Sequence, residues 1–210
     1  MRYQVSSLFL LAAALLLANT DSGVTGRRIV VRANNARVEI TGSDSDGVQV
    51  NETSHATVMS ENGRVVVEAG ADGEPMKLQV PRLSSLEVIT SNGSIHVAGV
   101  TGALRLDTSN GEIVARDAGA SEIHAHTSNG SIRISVPAGI NADVSAHTSN
   151  GQVHSELEVT AHHLGGTFLE GKIGRGGTAL DLQTSNGLIF INGAGEQESV
   201  TSSFKPDKVK

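Results

Sequence analysis

The sequence predicts an all-β chain, a parallel β-solenoid (β-helix-like) wound in coils of about 20 residues. Three observations predict it. Thr-Ser-Asn-Gly returns five times, at Thr90–Gly93, Thr108–Gly111, Thr127–Gly130, Thr148–Gly151 and Thr184–Gly187, with starts 18, 19, 21 and 36 residues apart. Apolar and polar residues alternate on both sides of each copy, the period of a strand with one buried face. A second break stands opposite the first, at Gly99–Gly102, Asp117–Ala120 and Pro137–Ala142. Units of this kind cannot bury an apolar face alone and must stack.

Residues 1–22 read as a signal peptide. Arg2 supplies the positive start, and Leu8–Ala18 is an eleven-residue apolar run, well short of the roughly 20 residues a membrane span needs. The cleavage point stays open between Ala18, Thr20 and Ser22. The whole chain lacks cysteine, so neither a lipid anchor nor a disulfide is expected and the core must carry the stability.

Residues 24–80 read as irregular N-terminal β coils or a cap. Asn34–Ile40 and Glu61–Val67 each resemble a corner followed by a strand, at wider spacing. Atypical terminal repeats are normal, because they must stop the stack.

Residues 81–194 are the repeat region. Counting from each Thr, position −4 holds Leu86, Leu104, Ile123, Val144 and Leu180, and position −2 holds Val88, Leu106, Ala125, Ala146 and Leu182. Beyond the corner, +5 holds Ile95, Ile113, Ile132, Val153 and Ile189, and +7 holds Val97, Ala115, Ile134, Ser155 and Ile191. These rows predict a thin core of small and medium side chains. The corner pairs Asn92-Gly93, Asn110-Gly111, Asn129-Gly130, Asn150-Gly151 and Asn186-Gly187 are structural, with glycine supplying the positive φ of a tight turn. Stacked copies make ladders with a rise of about 4.8 Å. The double step of 36 residues predicts one degenerate coil near residue 166, with a loose corner or a loop in the glycine-rich stretch around Gly165-Gly166 and Gly171–Gly177. On that reading five coil rises, about 24 Å, separate the first and last copies. Residues 195–210 read as a polar tail. The rival topology is an antiparallel meander, since Asn-Gly between alternating apolar residues is a strong hairpin signal. Recurrence of the whole tetrapeptide favours the solenoid.

The Thr-Ser-Asn-Gly-x-Ile units, Val80-Pro81 before the first of them and the closing stretch Lys172–Gly187 resemble the bacterial putative-adhesin family of exported or envelope-associated domains, over about residues 28–193. The resemblance implies a β-solenoid-like fold and no established catalytic site. Adhesion itself does not follow from architecture.

Composition narrows the function classes. Net charge is −6, with one Tyr, four Phe and no Trp. A nucleic-acid partner would need a basic footprint and aromatic platforms, and a typical sugar-stacking site would need the aromatics too. Histidines form the cluster worth weighing. Asp107, His126, His147 and Gln183 share the outward −1 column, and His124 lies at −3. In a solenoid His126 and His147 stand on neighbouring coils about 5 Å apart and could hold a metal with Asp107. The plainer reading is a solvated polar face copied by duplication, with no metal and no cofactor. His162-His163 lies in the irregular coil, and His96 and His154 share the +6 column with Arg133.

Ser43–Gly47 starts like a calcium loop but lacks the later Glu, so it reads as an acidic turn. Gly171–Gly177 lacks the Gly-Lys-Ser/Thr ending of a phosphate loop. No Gly-x-Ser-x-Gly elbow exists, and Asp107 and Glu112 do not form a carboxylate pair at hydrolase spacing. The sequence therefore predicts no catalytic residues. It predicts an exported, non-enzymatic binding or scaffold domain of the periplasm, cell surface or medium. Asp107, His124, His126 and His147 are its candidate ligand face. The expected partner is a glycan or another envelope protein, with no nucleic acid and no transmembrane span after signal removal. A polysaccharide-active enzyme and a purely structural envelope protein are the alternatives.

Overall fold

A computed structural model describes residues 27–51, 56–61, 63–69 and 73–194. The expected signal peptide and polar tail lie outside these residues. The described residues hold no helix, and so none long and apolar enough to cross a membrane.

The strands are β1 (Arg28–Ala33), β2 (Val38–Ser43), β3 (Gln49–Val50), β4 (Thr57–Glu61), β5 (Arg64–Glu68), β6 (Met76–Pro81), β7 (Ser85–Asn92), β8 (Ile95–Ala98) and β9 (Leu104–Asn110). They continue as β10 (Ile113–Arg116), β11 (Glu122–Asn129), β12 (Ile132–Val136), β13 (Ala142–Asn150), β14 (Val153–Ser155), β15 (Val159–Leu164), β16 (Phe168–Ile173), β17 (Thr178–Asn186) and β18 (Ile189–Gly193). They form a ten-stranded sheet, ordered β15-β16-β13-β17-β11-β9-β7-β1-β5-β4, and an eight-stranded sheet, ordered β14-β18-β12-β10-β8-β2-β6-β3. Each coil contributes one strand to each sheet, and the sheets face each other across one core. The ladders between coils are parallel, with Thr90 beside Thr108 and Ile113 beside Ile132. This is the solenoid and not the meander. Antiparallel pairing is confined to β3, β4, β15 and β16 at the two ends of the stack, where added strands cover edges that would otherwise invite foreign pairing.

The inward rows are those expected. Leu86, Leu104, Ile123, Leu180 and Val144 line one course, with Ile95, Ile113, Ile132 and Ile189 facing them from the other sheet, all buried. Ile29, Val31, Val38, Ile40, Val65, Val67, Met76 and Leu78 extend the same core into the N-terminal coils. Equal side chains at equal heights give continuous apolar contact along the axis, and this burial is the main stabilising term.

Coil order departs from chain order at both ends. The coil β17–β18 inserts between β11–β12 and β13–β14, with Thr184 beside both Thr127 and Thr148. The coil β1–β2 likewise inserts between β5–β6 and β7–β8. The step of 36 residues is therefore not a missing coil. It holds the β15–β16 hairpin, after which the chain crosses the start of β13 and returns on its other side. The five tetrapeptides occupy consecutive rungs, spanning four rises, or about 19 Å, in place of five. The glycine-rich stretch is not a loose corner either. Asn141 Oδ1 accepts the Arg175 amide at 2.8 Å, and Asp143 Oδ2 accepts the Gly177 amide at 2.9 Å.

The corners are built from three ladders. Asn92 Nδ2 donates to Asn35 Oδ1, Asn110 to Asn92, Asn129 to Asn110, Asn186 to Asn129 and Asn150 to Asn186, all at 2.7–2.9 Å. Each tetrapeptide Thr is buried and donates its hydroxyl to a carbonyl of the adjacent coil: Thr108 to Gly93, Thr127 to Gly111, Thr184 to Gly130 and Thr148 to Gly187. The tetrapeptide Thr residues thus belong to the core and not to an outer recognition surface.

The glycine ladder has a different cause from the one expected. Gly93, Gly111, Gly130 and Gly151 do not have positive φ, and Gly187, at 159°, lies at the margin of extended backbone. A Cβ on each would overlap a carbonyl oxygen of the coil beside it, that of Ala36, Gly93, Gly111, Gly187 and Gly130 respectively. Close stacking, not turn conformation, demands glycine here.

Candidate functional face of the ten-stranded sheet

With −4, −2 and 0 pointing inward, strand alternation turns −5, −3 and −1 outward. On β9, β11 and β17 this displays Arg105 and Asp107, then Glu122, His124 and His126, then Asp181 and Gln183. Most of them line one shallow depression. Arg105 pairs with Asp107 at 3.0 Å. His124 bridges two strands, its Nε2 2.6 Å from Glu122 Oε1 and its Nδ1 3.3 Å from Asp181 Oδ2. The hydrogen bond to Glu122 is the largest influence on His124 and raises its pKa above 6.5, with burial opposing and Asp181 reinforcing. These ion pairs are solvated and contribute little to stability.

Inserting β17 changes the predicted ligand face. His126 and His147 do not adjoin, because Gln183 lies between them in register. They are two rungs, about 9.6 Å, apart. Asp107 does adjoin His126. No group of three or more His, Asp or Glu among the described residues is arranged to hold a metal ion. Asp107 and Glu112 are not brought together, because Asp107 lies on β9 and Glu112 beyond the corner, just before β10, where it forms an ion pair with Arg133.

A second depression lies at the β15–β16 end of the same face. It is lined by Ser145, Ala146, His147, His163, Phe168 and Glu170. Phe168 stands opposite His147 across the β13–β16 ladder, and Glu170 stands between Ser145 and His163.

The outer face of the eight-stranded sheet holds the +6 column in register: Glu39, His96, Val114, Arg133, Phe190 and His154. Arg37 lies 3.1 Å from His96 Nδ1, and burial first, then the Arg37 charge, lowers the pKa of His96. Arg133 sits over the Phe190 ring at 5.9 Å and His154 meets its edge at 5.5 Å. Asp44 of the acidic turn pairs with Arg82 at 2.8 Å.

Several of these residues escape a reading centred on histidine. Arg105 and Asp181 share the −3 column with His124, and the full column would have found them. Glu122 is two residues from His124 on the same strand. Phe168 and Glu170 lie in the stretch taken for a degenerate coil, and no repeat-based signal points to them.

The family described as Toastrack DUF4097 matches residues 70–192. No curated protein matches the chain. Among solved structures, the chain is similar to a protein from Clostridium sporogenes described as a putative cell adhesion protein, with 9% identity, a TM-score of 0.62 and coverage of 81% of this chain and 94% of that one. At that identity the likeness concerns the fold.

Proposed function

The chain belongs to the Toastrack DUF4097 family, and from that premise we propose that it is an exported, non-enzymatic β-solenoid whose ten-stranded sheet presents its outer face to a partner at the cell envelope. One observation carries this reading. Arg105, Asp107, Glu122, His124, His126 and Asp181 project from neighbouring rungs of one sheet, with Arg105 paired to Asp107 and His124 to Glu122 and Asp181, around a shallow depression and not the enclosed cleft that chemistry on a small substrate needs. A flat array of alternating donors and acceptors at rung spacing suits an extended polar partner, a glycan first and an envelope protein second. The Clostridium sporogenes protein is described as a putative cell adhesion protein, and a surface-binding role for this chain agrees with that description. Export rests on residues 1–22 and is tested by sequencing the N-terminus of the secreted or periplasmic protein.

The deciding experiment incubates the chain with a polysaccharide and peptidoglycan panel and scores retention and new reducing ends together. Retention without release supports the reading, and Arg105→Ala with His124→Ala should then weaken it. Release of reducing ends overturns the non-enzymatic part and directs attention to the carboxylates of this face, Asp107, Glu122 and Asp181. With neither, capture of isolated envelope proteins decides the remaining arm.

A further inference from the structure

We propose that the depression at the β15–β16 end of the ten-stranded sheet is a saccharide subsite for an uncharged pyranose, with Phe168 as platform and His147, His163, Glu170 and Ser145 as polar rim. The proposal rests on the surface-binding reading above and deepens it.

Three features mark this place as built. First, Phe168 and Phe190 are the two phenylalanines within the described strands, and Phe168 is the one on this face. Its partly exposed ring lies over Gly165, where a Cβ would overlap the ring. Second, the hairpin register shifts between Ala161 and His163, so that His163 stands opposite Glu170. Without that bulge strand alternation would place His162 there. Bulges of this kind re-aim a side chain, and this one brings the His163 ring to 6.0 Å from the Phe168 ring at an interplanar tilt of 50°. Third, the hairpin breaks the parallel repeat, so its outer face is not a by-product of the tetrapeptide ladders.

The lining selects the ligand class. A phenyl face accepts the apolar C–H face of a sugar ring. Two imidazoles offer both donors and acceptors, Ser145 offers a hydroxyl, and Glu170 accepts from sugar hydroxyls. A few placed polar groups around an apolar surface are what fix an oriented small ligand. Glu170 is the one carboxylate of the lining, and no Lys or Arg lines it. The cation two residues on, Lys172, lies 3.7 Å from Asp143. Uronates and phosphorylated sugars are therefore disfavoured.

The test uses the full chain on immobilised chitin, cellulose and mannan, with polygalacturonate as the anionic comparator. The expected result is retention on at least one neutral polysaccharide above polygalacturonate, with a loss of tenfold or more in Phe168→Ala and in Glu170→Ala. Either variant suffices if the other melts below the assay temperature. Phe190→Ala, on the outer face of the eight-stranded sheet, should bind as the parent does. Equal retention by the parent and both variants, with loss in Arg105→Ala, overturns the subsite and leaves the wider face reading standing. No retention on any neutral polysaccharide also overturns the subsite, and the face reading then rests on envelope-protein capture. Preference for polygalacturonate overturns the ligand class.

Discussion

Asn186 Nδ2 donates to Asn129 Oδ1 at 2.8 Å across 57 residues of sequence, while Asn186 Oδ1 accepts Nδ2 of Asn150 at 2.9 Å. Asn186 is thus an interior rung of the amide ladder and Asn150 a terminal one. Each bond is solvated at the corner, so a net value of about 1 kcal/mol is an upper expectation. Asn186→Ala removes two ladder bonds, and besides them a long contact from Nδ2 to the Ser128 carbonyl at 3.4 Å, whereas Asn150→Ala removes one ladder bond. In urea titrations Asn186→Ala should cost about twice as much as Asn150→Ala. Equal costs would mean that the ladder accompanies stacking without contributing to it.

The glycine column should respond more strongly. Gly130→Ala puts a methyl into the Gly111 carbonyl of the adjacent rung, and the coils must separate or the substitution is not accommodated. A loss of about 3 kcal/mol or failure to fold is expected. Gly166→Ala meets nothing within 4 Å and has no positive φ, so its melting temperature should match the parent. A well-tolerated Gly130→Ala would contradict the stacking explanation.

His124 gives the pH signature. Its pKa is raised above 6.5 by Glu122 and Asp181, so the folded state binds the proton more tightly than the unfolded state. The stabilisation is fully present below about pH 6.5 and is lost as pH rises through the higher folded value. The melting temperature of the parent should exceed that of His124→Gln most near pH 6, with the gap closing toward pH 8. The gap should be small and narrow further in salt, because the pairs are solvated. His96 carries the opposite sign: its lowered pKa disfavours the folded state as pH falls through 6.5. A gap for His124→Gln that widens with rising pH would refute the assignment.

The inward rows were legible because each strand repeats the same alternation, so Leu104, Ile123 and Ile132 announce their faces without any neighbour being known. The corners were legible for the same reason. Rung order was not. Every copy offers the same Thr, Asn and Gly contacts, so Thr127 can stack on Thr148 or Thr184 equally well, and local pattern carries no preference. Chain order looked sufficient because 36 residues is close to two periods. At the C-terminal end the order is set by the β15–β16 hairpin and by the turn from β16 to β17, held by Asn141 and Asp143, a non-repeating element that periodicity cannot see. The candidate face was half legible for a related reason. Columns could be written down, but adjacency within a column needs the rung order, and so His126 and His147 were paired wrongly.

Rung order can be tested directly in a chain without cysteine. Neighbouring Cα atoms on parallel strands lie about 4.8 Å apart, inside the disulfide window of about 4.4–6.8 Å. Asp107 and His126 are register partners, so Asp107→Cys with His126→Cys is the reference pair. His126 and Gln183 are also partners, so His126→Cys with Gln183→Cys should oxidise at a comparable rate. His126→Cys with His147→Cys places the Cα atoms two rungs, about 9.6 Å, apart, beyond the reach of an unstrained disulfide. That pair should stay reduced within the monomer under the same oxidant, as read by thiol alkylation and mass. Rapid closure of the His126–His147 pair with none for His126–Gln183 would return the chain to sequential coils, and the interleaved arrangement of β17–β18 would have to be abandoned.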